Sequence, residues 1–348
     1  MALGLFFMKK KHEVSIKPLL DKKKILLVSR WGESLDLAYA MFLEGHSIKF
    51  YIEDKGSKEI GLGFVPKVSD WKQHIEWADL LIFDYTGYGT ICATLRAEGK
   101  TVLGGTAYTD KLELDRDFGQ AELKKHGIKT LPYKDFSSFQ EAITYVKQHP
   151  QAYVIKPSGE TQEYKQLLFV GTDDEGLDVI RVLKAYEKSW GNDFGNFQLQ
   201  RKVKGVEVSV SAYFNGLTFI YPINVTFEHK KLFPKELGVS TGEMGSSMFW
   251  TPDSPIFEAT LKKFEPTLAK EGFVGQLDIN CIVNGYGIFP LEFTSRFGYP
   301  QVFIQRAGIT EPLGQLFFKF ILLNSNQINF NARVNCIFFS IIENLFMF

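Results

Sequence analysis

The stretch Gln276 to Gln301, QLDINCIVNGYGIFPLEFTSRFGYPQ, constrains this chain more than any other. It reads as a strand, a turn at Asn284-Gly285, a second strand and a polar loop, because apolar runs on either side of an Asn-Gly pair favour a β-hairpin. Each strand carries one acid, Asp278 and Glu292, among apolar neighbours. Burying an isolated carboxylate is costly without a partner. Two on facing strands could share a hard divalent cation such as Mg²⁺ (or Mn²⁺), which takes oxygen ligands and completes its shell with water and phosphates. Arg296 follows on the loop, where a guanidinium fork suits an anion. The plainer reading, a hairpin with two acids facing solvent, stays open at this point.

The remainder divides by pattern. Residues 1–23 read as a Lys-rich leader. Its apolar residues precede its lysines, the reverse of a secretory signal. From Lys24 strands and helices alternate. Ile25 to Ser29 is a buried apolar strand, Glu33 to Glu44 a helix stopped by Gly45, and SIKFYI and DLLIFDY are further strands. This order implies right-handed crossovers and a parallel sheet. Ligands of such sheets sit beyond the carboxyl ends of the strands, here Ser29 to Gly32 and Asp84 to Gly89. A nicotinamide site would need G-x-G-x-x-G after the first strand. SRWGESLD has one glycine, so that site is disfavoured despite Glu53 and Asp54 after the second strand.

From Asp110 the chain reads as α+β. A helix ends at Gly127, and a Ser-capped helix follows in FSSFQEAITYVKQH. The strand AYVIKPSG ends in Lys156, which is either a phosphate ligand or an edge lysine that snorkels to water. Thr241 to Ser246, TGEMGS, reads as a Gly-rich turn whose N–H groups could face an anion. Phe257 to Lys270 reads as one helix, and the chain after Pro300 as helical through Phe320. Residues 324–348 form a Phe- and Asn-rich tail without clear period.

Formal net charge is +0, from Lys+Arg 40 and Asp+Glu 40. That balance argues against nucleic-acid binding by bulk electrostatics. No apolar run has the length of a membrane span. Cys92, Cys281 and Cys336 fit neither a zinc site nor a disulfide framework and read as small buried hydrophobes in a reducing, cytoplasmic setting.

Five segments in order resemble the ATP-grasp ligases, and most closely the phosphoribosylamine–glycine ligase (glycinamide ribonucleotide synthetase) family of purine biosynthesis. LEFTSRFGYPQ is similar to the family's LEFNCRFGDPE, and EHKKLF…STGEMGS to DHKR…NTGGMG. AELKKHGIKT, VIKPSG and KGVEVSV match a helix end, a strand and a short segment of the family. The resemblance spans roughly Lys24 to Leu316. It implies an ATP-grasp fold, α/β and α+β, behind an N-terminal Rossmann-like parallel-sheet domain. The expected division is 1–23 leader, 24–109 Rossmann-like substrate domain, 110–200 small lobe with its lid, 201–323 large lobe with the metal hairpin, and 324–348 tail. The family's C-terminal domain would be incomplete in this sequence.

The resemblance also implies roles. Lys156 and Arg116 would bind ATP phosphates, Gln200 the adenine pocket, and Glu207 would support the nucleotide. Lys230 would approach the γ-phosphate, and Arg296 would steady the transferred phosphoryl group. Glu292 would ligate Mg²⁺, with Asp278 compensating for Thr294 in place of a metal-binding Asn. Thr241, Gly242 and Gly245, with Gly298 of the RFGYP segment, would line a substrate loop. The implied reaction is ATP-dependent formation of an acyl phosphate from a carboxylate, then attack by an amine, in a monomer or homodimer that binds neither nucleic acid nor membrane. The lid PSGETQEYKQLL keeps one glycine and a later Lys165, Gln200-Arg201 replaces Glu-Glu, and Tyr299 and Gln301 replace two acids. These departures leave a second possibility, a catalytically weak nucleotide-binding protein with a regulatory role.

Overall fold

The computed structural model describes residues 22–158, 167–235, 237–322 and 336–339. The first unit contains β1 (Lys24–Ser29), α1 (Leu35–Leu43), β2 (Ser47–Ile52), β3 (Leu80–Phe83), α2 (Gly89–Ala97) and β4 (Val102–Leu103). Its strands pair in parallel in the order β2-β1-β3-β4. The near-continuous apolar run of β1 is buried on both faces, as a helix-covered parallel sheet requires. This is the Rossmann-like sheet read from the sequence.

Two helices follow, α3 (Ala107–Leu114) and α4 (Arg116–Lys125), separated by Asp115. Asp115 leaves helical geometry at φ −117° and ψ 98°, and its side chain accepts the Phe118 N–H. Thr106 caps α3 in the same way through Thr109. Beyond them lies a small antiparallel sheet of β5 (Tyr133–Phe136), β6 (Tyr153–Pro157), β7 (Phe169–Val170) and β8 (Phe197–Arg201), in the order β5-β8-β6-β7. The helices α5 (Phe139–Gln148) and α6 (Leu177–Trp190) cover one face of it. Ile155, Phe197 and Leu199 pack there with Ile143, Val146 and Leu183. The alternation of β8 sends Gln198 and Gln200 to the other face.

The large sheet runs β13-β12-β9-β10-β11-β14. Its strands are β9 (Val206–Asn215), β10 (Ile223–Phe233), β11 (Leu237–Thr251), β12 (Val274–Asn284), β13 (Gly287–Thr294) and β14 (Cys336–Phe339). One face is apolar. Val208, Val210 and Ala212 stand opposite Cys281, Ile279 and Leu277 and pack on Phe257, Phe264 and Leu268 of α7 (Pro255–Ala259), α8 (Glu265–Lys270) and the turn between them. The other face is polar, with Ser209, Ser211, Asn224, Thr226, Gln276 and Asn280 all buried. Cys92 and Cys281 are buried free thiols.

After the hairpin come α9 (Gln301–Gly308) and α10 (Leu313–Leu322). Leu313, Leu316 and Phe317 of α10 join the core of the first unit beside Leu37 and Met41. Glu44 accepts the first N–H groups of α10, from Leu313 at 2.7 Å and Gly314 at 2.9 Å. Gly104 N–H donates to Val274 O at 2.8 Å, which ties the parallel sheet to β12. The start and the end of the chain thus share one core.

Three local expectations are corrected. Phe257 to Lys270 is not one helix: α7 ends at Thr260, a single 3₁₀ turn follows, and α8 restarts at Glu265-Pro266. Proline has no N–H and is tolerated only in the first helical turn. The segment after Pro300 breaks likewise before Pro312. The hairpin loop is Gly285-Tyr286, since Asn284 still pairs with Gly287. Asn284 acts from beside the loop, accepting the Tyr286 N–H and donating to Lys204 O.

Candidate active site

The late hairpin is staggered relative to the sequence reading. Asp278 stands opposite Thr294, and Glu292 stands opposite Asn280, because a bulge at Leu291 shifts the register. Asp278 is half-buried and Glu292 is exposed. Burial pushes the Asp278 carboxyl well above the usual range, and the charges of Glu228 and Glu292 push it further, against a hydrogen bond from Ser209 and the charge of Lys230. Asn280 donates to Glu207 at 2.9 Å, while its Oδ1 is buried without a hydrogen-bond partner among the described residues. The donor set is therefore all oxygen, in a place where a cation would relieve carboxylate repulsion. That fits a hard divalent ion. Among the described residues no group of three or more His, Cys, Asp or Glu side chains could hold a metal.

Opposing charges gather around this hairpin from several elements. Lys156 on β6, opposite Gln198, is 6% exposed. Burial and the nearby Arg116 pull its pKa down to about 7, while Glu292 and Glu207 resist. Lys230 on β10 pairs with Glu207 at 2.6 Å and Glu228 at 3.3 Å. Burial opposes its charge, but Glu228, Glu292 and Glu207 together hold its pKa above the ordinary value. Arg116, first residue of α4, is depressed by burial, with Glu292 and Asp117 opposing; its Nε is buried without a partner among the described residues. The structure thus brings Arg116, Lys156, Glu207, Lys230, Asp278 and Glu292 into one electrostatic cluster.

Gln200 is 2% exposed and stands opposite Val154. Its neighbour Gln198 donates to Asp117 at 2.7 Å and exchanges hydrogen bonds with Gln120. This network escaped the sequence reading. Its signal is the alternation in FQLQR, where the apolar residues take the core face and the glutamines the cleft face. A narrow cavity lined by Glu113, Arg116, Gln120 and Glu292 opens beside it.

Arg296 does not lie loose on its loop. Its Nε donates to Glu113 at 3.1 Å and one terminal nitrogen donates to Phe297 O at 3.0 Å. Two replaced acids of the RFGYPQ segment meet acids from elsewhere. The Tyr299 hydroxyl lies 3.5 Å from Asp84, and Gln301 donates to Glu228 at 3.0 Å. The chain turns at Gly298, whose carbonyl accepts the Val302 N–H.

Thr241 to Ser246 is not the expected Gly-rich turn. It is part of β11, and the ladder to β10 pairs Gly245 with His229 and Ser240 with Lys231. Four residues, 241–244, therefore stand opposite the single Lys230, an irregularity beside the proposed γ-phosphate ligand. The β10 edge pairs with this backbone on both sides of the irregularity, and that pairing outweighs the local turn propensity of two glycines. The lid expected at 159–166, Lys165 included, lies outside the described residues, as do the leader at 1–21 and most of the tail.

The model of the "Phosphoribosylglycinamide synthetase, ATP-grasp (A) domain" family matches residues 114–302, more than half of the 348 residues. The chain belongs to that family. The residues named above for ATP, metal and the substrate loop fall inside the match; the strand ends at Ser29 to Gly32 and Asp84 to Gly89 lie outside it. Among related sequences, a phosphoribosylamine–glycine ligase of Streptococcus pneumoniae is 28% identical over 224 residues, which are 62% of this chain and 53% of that protein. One from Lactococcus lactis is 27% identical over 235 residues, 65% of this chain and 55% of the relative. The chain spans about half the length of the curated relatives it matches. Among solved structures, phosphoribosylamine–glycine ligase from Thermotoga maritima superposes with a TM-score of 0.62 at 18% identity, covering 88% of this chain and 78% of that one. N5-carboxyaminoimidazole synthetase from Staphylococcus aureus gives 0.59 at 10% identity, covering 90% and 81%. At such identities the likeness speaks for the ATP-grasp fold. No helix among the described residues is long and apolar enough to cross a membrane.

Proposed function

We propose that this protein is an ATP- and Mg²⁺-dependent (or Mn²⁺-dependent) carboxylate–amine ligase acting through an acyl phosphate. The default pair is glycine with phosphoribosylamine, giving glycinamide ribonucleotide; a related acid and amine is the variant the altered substrate segments favour. The observation that carries the reading is the cluster in which Lys156 of the small sheet meets Glu207, Lys230 and Glu292 of the large one. Cations and carboxylates lie close together in it, which supports a site for phosphates bound with a divalent ion.

Lys156 and Arg116 bind the nucleotide phosphates, Gln200 lines the base pocket, and Glu207 orients Lys230. Asp278 and Glu292 hold the divalent cation, with Asn280 Oδ1 as a spare acceptor. When bound, that cation neutralises charge on the phosphates during transfer. Arg296, fixed by Glu113, steadies the phosphoryl group as the substrate carboxylate attacks it. Gly298 and the irregular part of β11, with Thr241, Gly242 and Gly245, flank the substrate. Phosphoryl transfer asks of the protein positioning and charge rather than a nucleophile. The working division of the chain is 24–109, 110–200 and 201–323, in a cytoplasmic monomer or homodimer with small-molecule partners and neither nucleic acid nor membrane.

The test is release of ADP and phosphate across a panel of carboxylic acids and amines. Release that needs both the metal and an added acid supports the ligase. A second reading, a nucleotide-binding regulator with weak catalysis, is favoured by one observation. Lys230 and Arg296 are ion-paired to Glu207 and Glu113, which leaves less of their charge for a transferred phosphoryl group. Tight ATP binding with no acid-dependent release across the panel would select it.

A further inference from the structure

At the end of β1 the chain turns sharply. Ser29 Oγ accepts the Gly32 N–H at 2.8 Å, and Gly32 takes φ +95°, with Ile52 and Ile60 packed where a Cβ would stand. Only glycine adopts this conformation readily. The turn places Arg30 and Trp31 at the carboxyl end of the parallel sheet, and Tyr85, just past β3, reaches the same place. The Arg30 guanidinium lies over Trp31 at 4.8 Å and over Tyr85 at 5.1 Å from the ring centroids. Trp31 and Tyr85 meet edge to face at 4.7 Å. Arg296, from the loop after β13, lies over the same Tyr85 ring at 5.0 Å. One ring thus carries a cation from each end of the chain, their guanidinium carbons at most about 10 Å apart, each attracted to the ring quadrupole.

The two cations differ in what neutralises them. Glu113 pairs with Arg296. The Arg30 side chain is half-buried and has no hydrogen bond or ion pair among the described residues. The neighbouring carboxylate of Asp84 sits by the Tyr299 hydroxyl. A stacked guanidinium is held in place, is weakly hydrated, and keeps its planar fork of donors for a carboxylate or phosphate.

We propose that Arg30, stacked beside Arg296, forms an oxyanion subsite where the parallel sheet meets the late hairpin, and that Arg30 binds the carboxylate or phosphate of a substrate while Arg296 serves the transferred phosphoryl group. The identity of that ligand as a substrate rests on the ligase reading; the subsite itself rests on the stack. Arg30 lies outside the segment matched by the family.

The test is calorimetric titration of the full chain with ribose 5-phosphate and, separately, with glycine, using wild type, Arg30→Ala and Arg30→Lys. Each protein is also titrated with a non-hydrolysable ATP analogue and Mg²⁺. Arg30→Ala should weaken binding of one probe at least tenfold, Arg30→Lys should recover part of it, and affinity for the ATP analogue should be equal in all three. Loss with ribose 5-phosphate assigns the subsite to a phosphate, and loss with glycine assigns it to a carboxylate. Equal binding of both probes by wild type and Arg30→Ala, or binding of neither by wild type, overturns the proposal. Arg30-dependent binding in a protein that fails to bind the ATP analogue would leave the subsite standing and remove the ligase reading instead.

Discussion

Arg296 Nε donates to the Glu113 carboxylate at 3.1 Å, although 183 residues separate the two. Glu113 also accepts the Ser295 N–H at 2.7 Å and its hydroxyl at 3.3 Å. Burial pushes the Glu113 carboxyl up, and Arg296 and Ser295 oppose that rise. The end of α3 therefore fixes the loop that carries Arg296, the cation proposed above for the phosphoryl group. Glu113→Ala strands a buried N–H and an unpaired cation. It should cost about 3 kcal/mol of stability and lower turnover more than ATP affinity. Urea unfolding with steady-state kinetics checks it; Glu113→Gln, which keeps an acceptor, should recover most of the stability.

Lys156 has a pKa of about 7 because burial and Arg116 disfavour its charge. Bound phosphates would favour the charged form instead. At pH 8 the free protein holds Lys156 mostly neutral, so ATP binding should take up a proton. Calorimetry in buffers of different ionisation enthalpy reads that uptake as a slope in the observed heat. Lys156→Met should abolish the slope and weaken ATP at least tenfold. It should also raise the thermal midpoint near pH 7, where the folded wild type resists the proton that the unfolded chain accepts. A flat slope in the wild type would place the phosphates elsewhere.

Glu292→Gln keeps the shape of β13 and removes one charge from the set around Lys230 and Asp278. Metal-dependent ADP formation should fall by at least a hundredfold, a loss of about 3 kcal/mol or more in transition-state stabilisation. Chelation of divalent ions should bring the wild type to the same level. Circular dichroism should be unchanged, since Glu292 is exposed. Turnover equal to wild type would remove Glu292 as a metal ligand.

The sequence made the hairpin legible because strand alternation and turn chemistry are local. The apolar strand that carries Lys156 was legible for the same reason. Glu113 with Arg296, Asp84 with Tyr299 and Gln301 with Glu228 were not. Each joins segments far apart in the chain, and no period in either segment encodes the other. TGEMGS misled in the opposite way: glycines signal a turn locally, yet the segment lies within β11, whose ladder to β10 resumes at Gly245. The register of Glu292 against Asn280 was hidden by one bulged residue, which no hydrophobic pattern announces.

Asp84 closes β3 at 1% exposure, and its Oδ1 has no hydrogen-bond partner among the described residues. Burial pushes its pKa from 3.8 to about 6; hydrogen bonds from Ser29 and Ser34 oppose this and the charge of Glu33 adds to it. Between those two values the folded chain holds a proton that the unfolded chain has released. Stability from this group is therefore greatest below the unfolded pKa and declines as pH rises through the folded one. Above pH 6 the whole penalty is present, about 3 kcal/mol at roughly 1.4 kcal/mol per unit. Asp84→Asn carries no charge to bury. The mutant should unfold about 4 °C above wild type at pH 8, and the gap should shrink steadily toward pH 4.5. Because only the difference between the two proteins is read, titration of every other group cancels to first order. A gap independent of pH would mean that the carboxyl is not the group under strain, and a lower midpoint for the mutant at pH 8 would mean that the ionised form is held by a partner such as the Tyr299 hydroxyl.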